Sequence, residues 1–260
     1  MPETNLDFEE KLHKVASRLR FPTFLQYRDI IKPNASFAEN LCLIGDLEIQ
    51  RRLDEHLRRR VQAADFPIVK TIDTFELSSE YLPYVNLNLV REELFSCEFL
   101  RRKEDIILIG PSGRGKSHFA TAIGYEAAKQ GYKVLFRRAD TLIAELVEAK
   151  SEQSMLNYES KLNKLDLLII DEFGYSLYNS NEASLLSKVI VARHESKSTI
   201  VVANDEFNKW RSFITNKTLC NRVISKLTFR SAILNMNGDK DYRYINSKAL
   251  KFLVESNNDA

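Results

Sequence analysis

Apolar residues in the N-terminal quarter of this chain recur at the spacing of helices. Leu12, Val15 and Leu19 form one such series, and a second series runs from Leu41 to Val61. A period near 3.6 residues is typical of amphipathic helices that bury one face. The pattern therefore predicts helices that pack into a small bundle.

Further along, the apolar residues form short continuous runs instead. The clearest are Ile106–Ile109, Leu167–Ile170 and Ser198–Ala203. Runs of this length predict strands that are buried on both faces of a parallel sheet. Weaker patterns add strands at Tyr132–Phe136 and Ser231–Met236, and helices at Phe119–Ala128, around Lys209, at Thr218–Leu227 and at Asn246–Glu255. This alternation predicts an α/β fold, with a parallel sheet flanked by helices.

A domain boundary is expected near Phe66-Pro67, because Pro67 cannot continue the basic helix before it. Residues 1–66 then form a small N-terminal helical domain and residues 67–260 the α/β core. After the turn at Asn237-Gly238 little chain remains. We therefore expect a helical lid to be reduced or absent.

A complete phosphate-binding loop follows the first strand. The pattern G-x-x-x-x-G-K-S stands between an apolar run and an Ala-rich helix, which is the context that the motif requires. Its glycines let backbone N–H groups turn toward phosphate oxygens, Lys116 reaches the β and γ phosphates, and Ser117 supplies a hydroxyl to Mg²⁺. A chance glycine-rich turn is the alternative. The predicted nucleotide-binding residues are Gly110, Pro111, Ser112, Gly113, Arg114, Gly115, Lys116, Ser117 and His118.

Polar side chains follow two of the predicted strands. Asp171 and Glu172 come directly after Leu167–Ile170, and Asn204 comes directly after Ser198–Ala203. At the carboxyl edge of the sheet, Asp171 is expected to hold Mg²⁺ through water and Glu172 to activate the attacking water. The alternative is a buried strand with an acidic turn. Asn204 is a candidate sensor of the γ phosphate or the lytic water; alternatively, it caps a helix that starts at Asp205.

The composition excludes several classes of protein but identifies no further functional site. The three cysteines, Cys42, Cys97 and Cys220, suggest neither a disulfide framework nor a zinc site, so we expect a reducing cytoplasm. No signal peptide or membrane-spanning run is apparent. A net charge of +2 is too small for DNA binding through bulk charge.

Local basic clusters could still contact DNA. They are found at Lys11–Arg20, at Arg51–Arg60, which holds five arginines, and at Arg137-Arg138. Solvated helix faces are the alternative interpretation.

The order of these elements resembles the IstB-type transposition helper ATPases, AAA+ proteins related to the DnaC helicase loaders. The resemblance covers nearly the whole chain. It rests on Ala64–Pro67, Lys70–Phe75, Ile109–Ser117, Ala122–Ala128, Gln130–Val134, Asp166–Tyr175 and Asp241–Arg243.

The resemblance implies a protein that binds ATP and Mg²⁺, oligomerises on duplex DNA, hydrolyses ATP and presents target DNA to an IstA-type transposase. It also implies a catalytic arginine supplied to the neighbouring subunit. The family's Asp-Arg pair is replaced here by Ser225-Lys226, so Arg222, one turn earlier, is the candidate, although Lys226 remains open. Arg243 resembles the second, cis-acting sensor arginine, or is a surface arginine beside a hairpin.

Two other functions remain open at this point. A DnaC-like replicative helicase loader would share the core and prefer single-stranded DNA. A nucleotide-gated scaffold would bind ATP without appreciable turnover.

Overall fold

The computed structural model describes residues 5–72 and 91–236. The chain divides into two compact units, Met1–Arg59 and Arg60–Ala260. The predicted boundary at residues 66–67 lies a few residues beyond this division and stays a prediction.

The N-terminal unit is helical, as its apolar periodicity predicts. It contains α1 (Asn5–Leu19), a 3₁₀ turn at Pro22–Gln26, α2 (Tyr27–Ile30) and most of α3 (Phe37–Ala64). Glu48 of α3 is buried; it accepts a hydrogen bond of 2.5 Å from the Thr23 hydroxyl and pairs with Arg51 and Arg52. Charge-assisted bonds of this kind compensate the burial of a carboxylate, so Glu48 ties the 3₁₀ turn to α3.

The second unit is an α/β domain. Its described elements are a π-helical turn (Arg91–Phe95), α4 (Glu98–Arg102), β1 (Asp105–Ile109), α5 (Lys116–Lys129), β2 (Val134–Arg138), α6 (Ala139–Ser151), α7 (Met155–Asn163), β3 (Leu167–Phe173), α8 (Ser180–Arg193), β4 (Ser198–Ala203), a 3₁₀ helix (Phe207–Ser212), α9 (Lys217–Thr228) and β5 (Ser231–Asn235). The predicted strand at Tyr132–Phe136 starts two residues later, at Val134, and runs on to Arg138.

The five strands form one parallel sheet in the order β2-β3-β4-β1-β5. Central strands β1, β3 and β4 are almost wholly buried, which explains why they read as continuous apolar runs. Successive side chains point to opposite faces. Ile106 and Leu108 therefore join a core cluster with Phe119 and Ile123 of α5, whereas Ile107 packs in the cluster that contains the buried side chains of α6, α8 and α9.

Backbone spacing on the α5 face depends on one glycine. A Cβ atom at Gly124 would lie 2.6 Å from Ile169 Cδ1 and 2.9 Å from the Phe66 ring. Since side chains rarely approach so closely, Gly124 sets how near α5 lies to the sheet and to the segment after α3.

A buried ionic cluster closes the amino edge of the sheet. Arg193 is 1% exposed, and its guanidinium donates to the carbonyls of Leu162 (2.6 Å) and Ser198 (2.7 Å). Asp105 accepts a hydrogen bond of 2.7 Å from the Thr199 N–H. Burial raises the pKa of Asp105 to about 7 and lowers the pKa of Arg193 to about 10. This cluster lies at the edge opposite the phosphate-binding loop, so its role is in stability.

Candidate nucleotide-binding site

The phosphate-binding loop lies between the end of β1 at Ile109 and the start of α5 at Lys116. Gly113 and Gly115 have φ angles of +86° and +80°, a left-handed conformation that glycine adopts without strain. These two turns bring the chain round onto the N-terminus of α5, where the helix dipole favours an anion. The loop thus has the form that the motif predicts.

Lys116 is 5% exposed, although lysine is rarely buried. Its Nζ donates to the carbonyl oxygens of Gly110 (2.6 Å) and Pro111 (2.7 Å), both in the same loop. These bonds hold the ammonium group across the loop.

Ser117 and Asp171 come together from α5 and β3. The Ser117 hydroxyl donates to Asp171 Oδ1 at 3.0 Å, and the same oxygen accepts the Glu172 N–H at 2.9 Å. Burial raises the pKa of Asp171, while these two hydrogen bonds and the charge of Lys116 act in the opposite direction. One hydroxyl beside one carboxylate fits Mg²⁺, which keeps several waters and takes few protein ligands at phosphate sites.

No group of three or more His, Cys, Asp or Glu side chains in the described ranges could hold a metal ion by itself. A magnesium ion at Ser117 and Asp171 thus needs other ligands, such as phosphate oxygens and water.

Glu172 follows Asp171 with a φ angle of +55°, which is unusual for a residue with a side chain. Its carboxylate forms an ion pair of 2.7 Å with the Arg138 guanidinium. Arg138 also pairs with Asp140 at 3.0 Å. The arginine at the end of β2 is therefore shared by two carboxylates, one of which is the predicted general base.

A cavity of about 470 Å³ joins the loop, the carboxylates and the sensor candidate. Ser112, Gly113, Gly115, Lys116, Ser117, His118, Asp171, Glu172 and Asn204 line it, as do Pro67, Ile68, Lys70, Thr121, Tyr175 and Val202, which the sequence patterns did not mark as site residues. Burial and then the charge of Lys70 lower the pKa of His118, so its imidazole is neutral near pH 7.

Asn204 lies in this cavity and does not cap a helix. The next helical segment is the 3₁₀ helix at Phe207, and its N-cap position is Glu206. The capping alternative is therefore wrong, and the sensor role of Asn204 stays a prediction.

Other predicted site residues lie elsewhere. The Arg114 side chain is not part of the cavity lining; its Nε and Nη1 atoms are buried without a hydrogen-bond partner among the residues that the structure describes. Arg222 lines a separate cavity of about 470 Å³ with residues of α7 and α8. Arg243 lies outside the described residues.

Two of the three predicted basic clusters, Arg51–Arg60 and Arg137-Arg138, are largely engaged in ion pairs. In α3, Arg51 and Arg52 pair with Glu48, and Arg59 pairs with Glu55. Arg137 is 14% exposed and pairs with Glu145 and Asp65. Carboxylates of the same chain therefore already pair with these arginines, and a DNA phosphate would have to displace them.

The chain matches the family model of the IstB-like ATP binding proteins over residues 23–249. The chain belongs to this family. This IstB-like protein is 34% identical to the insertion sequence IS21 ATP-binding protein of Pseudomonas aeruginosa, over 80% of this chain and 77% of that one. It is 32% identical to the insertion sequence IS5376 ATP-binding protein of Geobacillus stearothermophilus, over 89% and 93%.

Solved structures give the fold. DnaA from Aquifex aeolicus bound to AMPPCP superposes with a TM-score of 0.55 at 19% identity, covering 75% of this chain and 57% of DnaA. The DnaC helicase loader superposes with a TM-score of 0.51 at 21% identity, covering 69% and 99%. The predicted α/β fold, with a parallel sheet flanked by helices, is thereby confirmed. Within the described ranges, no helix is long and apolar enough to cross a membrane.

Proposed function

We propose that this IstB-like protein binds ATP with Mg²⁺ in the cavity of about 470 Å³, hydrolyses it, oligomerises on duplex DNA, and presents that DNA to an IstA-type transposase. The observation that carries the proposal is the juxtaposition of Ser117, Asp171 and Glu172 beside Lys116, at the carboxyl edge of the sheet. A phosphate-binding loop alone would support binding. The second carboxylate adds a candidate base for hydrolysis.

Each residue has a distinct role in this proposal. The loop N–H groups and Lys116 bind the phosphates, while Ser117 and Asp171 hold the magnesium ion, which neutralises phosphate charge. Glu172 orients the lytic water and accepts its proton. Asn204 positions the γ phosphate or that water.

Arg222 acts on the nucleotide of a neighbouring copy. Its own chain leaves it in a different cavity from the nucleotide, and a cation supplied in trans can raise phosphoryl-transfer rates by about 10³–10⁵-fold. Lys226 remains the alternative, and Arg243 is proposed as the cis-acting sensor.

Sedimentation with Mg²⁺-ATP, Mg²⁺-ADP or no nucleotide tests this function on mixed-sequence duplex DNA. We expect large complexes only with ATP and duplex, none with Lys116→Ala, and persistent complexes with Glu172→Gln, because that variant keeps ATP bound and unhydrolysed. Undiminished turnover in Glu172→Gln would remove Glu172 from its role.

A helicase loader is the second candidate, favoured by the likeness in fold to DnaC. Preference for single-stranded over duplex DNA in the same sedimentation assay would support it. Complexes that form without any ATP turnover would instead support a nucleotide-gated scaffold.

A further inference from the structure

The turns that lead into the five strands share a basic residue. A lysine or arginine stands one to three residues before each strand, at the amino edge of the sheet. These residues are far apart in sequence, and only the sheet brings them together. We call them the basic row; in the order of the strands across the sheet they are Lys133 before β2, Lys164 before β3, Lys197 before β4, Lys103 before β1 and Arg230 before β5.

The pairing of the strands sets the members of the basic row side by side. The first residues of β2, β3 and β4 pair with one another in register, and so do the first residues of β1 and β5. This pairing continues into the turns, because the Asp166 N–H donates to the Lys133 carbonyl and the Asp105 N–H to the Arg230 carbonyl, both at 2.8 Å. Neighbouring strands lie about 4.8 Å apart, so the basic row extends over about 19 Å.

Most cations of the basic row are not neutralised by a carboxylate. All members except Lys197 are exposed and form no ion pair with any carboxylate of residues 5–72 and 91–236. Lys197 pairs with Asp166 at 2.7 Å. Glu104 pairs with Arg102 at 2.9 Å, which leaves Glu195 as the exposed carboxylate of these turns. The amino edge of the sheet therefore carries a surplus of positive charge.

The basic row differs in this respect from the arginines of α3 and of the end of β2. Those arginines already pair with carboxylates, so a phosphate that binds them exchanges one ion pair for another. A phosphate that binds the basic row meets four cations with no such pair and releases only counterions. Each contact to the row therefore adds more to the affinity for a polyanion than a contact to a paired arginine does.

The composition of the basic row suits nucleic acid better than protein. Four of its five members are lysines, which are depleted in protein interfaces but common in contacts to phosphate groups. Phosphates of one DNA strand follow one another at about 3.4 Å along the helix axis, so a length of about 19 Å spans about five or six of them. Contacts to phosphates fix the position of a protein on DNA without reading the base sequence.

We propose that the basic row binds the sugar-phosphate backbone of duplex DNA in a contact that is independent of base sequence. The row lies at the opposite edge of the sheet from the nucleotide cavity, about 17 Å away along the five residues of β1. DNA bound there does not touch the nucleotide, so the contact itself is the same with and without ATP. This inference rests on the duplex binding proposed above.

A salt titration tests the proposal, with other lysines of the same domain as the control. The row variant combines Lys103→Gln with Lys133→Gln, and the control variant combines Lys188→Gln with Lys217→Gln, two exposed lysines of α8 and α9 outside the row. Fluorescence anisotropy measures the affinity for a short labelled duplex of mixed sequence at several salt concentrations, without nucleotide and with Mg²⁺-ATP.

Each lost phosphate contact lowers the slope of log affinity against log salt concentration by about 0.9. We therefore expect the row variant to bind more weakly and to lose about 1.8 in slope, by the same amount in both nucleotide conditions. The control variant should keep the slope of the unchanged chain, although it loses the same formal charge.

Binding of a fluorescent ATP analogue checks that both variants are folded, and Lys164→Gln with Arg230→Gln replaces the row variant if it fails this check. An unchanged slope in a folded row variant, or an equal loss in the control variant, would overturn the inference. The same titration with one strand of the duplex identifies the substrate: a loss confined to the single strand also overturns it. If the unchanged chain binds no duplex in either condition, the proposed function fails; if it binds and the row variant binds equally well, this inference alone fails.

Discussion

Replacing Asp105 with Asn should make the stability of the α/β domain less dependent on pH. Asp105 is 7% exposed, and burial raises its pKa from 3.8 to about 7, against the opposing effects of the Thr199 N–H and the charge of Arg193. A folded-state pKa above the unfolded value means that the folded chain binds the proton more tightly. The corresponding stability is fully present below pH 3.8 and is lost as the pH rises to about 7.

The size of this effect follows from the two pKa values. Each pKa unit corresponds to about 1.4 kcal/mol, so the whole loss is about 4 kcal/mol, of which about 2–3 kcal/mol falls between pH 5 and pH 8. Asn cannot ionise, yet its carbonyl oxygen can still accept the Thr199 N–H. The free energy of unfolding of Asp105→Asn, relative to that of the unchanged chain, should therefore rise by about 2–3 kcal/mol between pH 5 and pH 8.

Thermal unfolding at the two pH values measures this difference. For a domain of this size the gain corresponds to a relative rise in Tm of about 5–10 °C. Asp46→Asn, on an exposed position of α3, is the matched control for the change from Asp to Asn. If Asp105→Asn also shifts the Tm equally at pH 5 and pH 8, Asp105 does not ionise in this range and the reasoning is refuted.

Three further substitutions have defined outcomes. Gly174→Ala should lower the free energy of unfolding by about 2–4 kcal/mol, measured by thermal unfolding. Its Cβ atom would lie 2.3 Å from the buried Phe213 ring, and the backbone has a φ of +80° there. Gly45→Ala is the control and should be neutral or stabilising, because a Cβ atom at that position meets nothing within 4 Å. Glu48→Gln should cost about 2–3 kcal/mol at pH 7, because the hydrogen bond from Arg51, more than any other contact, holds the pKa of Glu48 far below its usual value of 4.5. The cost should fall as the pH drops below 4.5, and denaturant unfolding at pH 7 and pH 3 would check this. Arg138→Ala should raise basal ATP hydrolysis up to about five-fold, because an exposed ion pair worth up to about 1 kcal/mol no longer restrains Glu172; an unchanged steady-state rate would mean that the pair does not limit hydrolysis.

Sequence patterns predicted the sheet well because its central strands are buried on both faces. Helices cover both faces of the sheet, so nearly every residue of these central strands is buried. Ile106–Ile109 and Leu167–Ile170 are therefore continuous apolar runs, the pattern that predicted strands. The edge strand β2 was placed less accurately. Its last two residues are arginines. In an edge strand, polar residues at the end of the strand resemble the start of a loop, so the sequence pattern does not show where the strand ends.

The candidate site divides in the same way. Residues within one motif, such as Lys116 and Ser117, can be assigned from spacing, because a loop before a helix fixes their geometry locally. Pro67, Lys70 and Tyr175 reach the cavity from other segments, and no local pattern marks them as site residues. Only the packing of the segment after α3 and of the segment after β3 brings them there.

Tandem arginines at the end of β2 show why a basic cluster in sequence need not be a basic surface. Successive strand residues point to opposite faces, so Arg137 pairs with Glu145 while Arg138 pairs with Glu172. The two side chains therefore cannot bind one phosphate group together. In α3 the i,i+4 spacing that predicts a basic face also places Glu55 beside Arg51 and Arg59. A DNA phosphate that binds these arginines must displace a carboxylate, so each such contact exchanges one ion pair for another and adds less affinity than a count of arginines suggests.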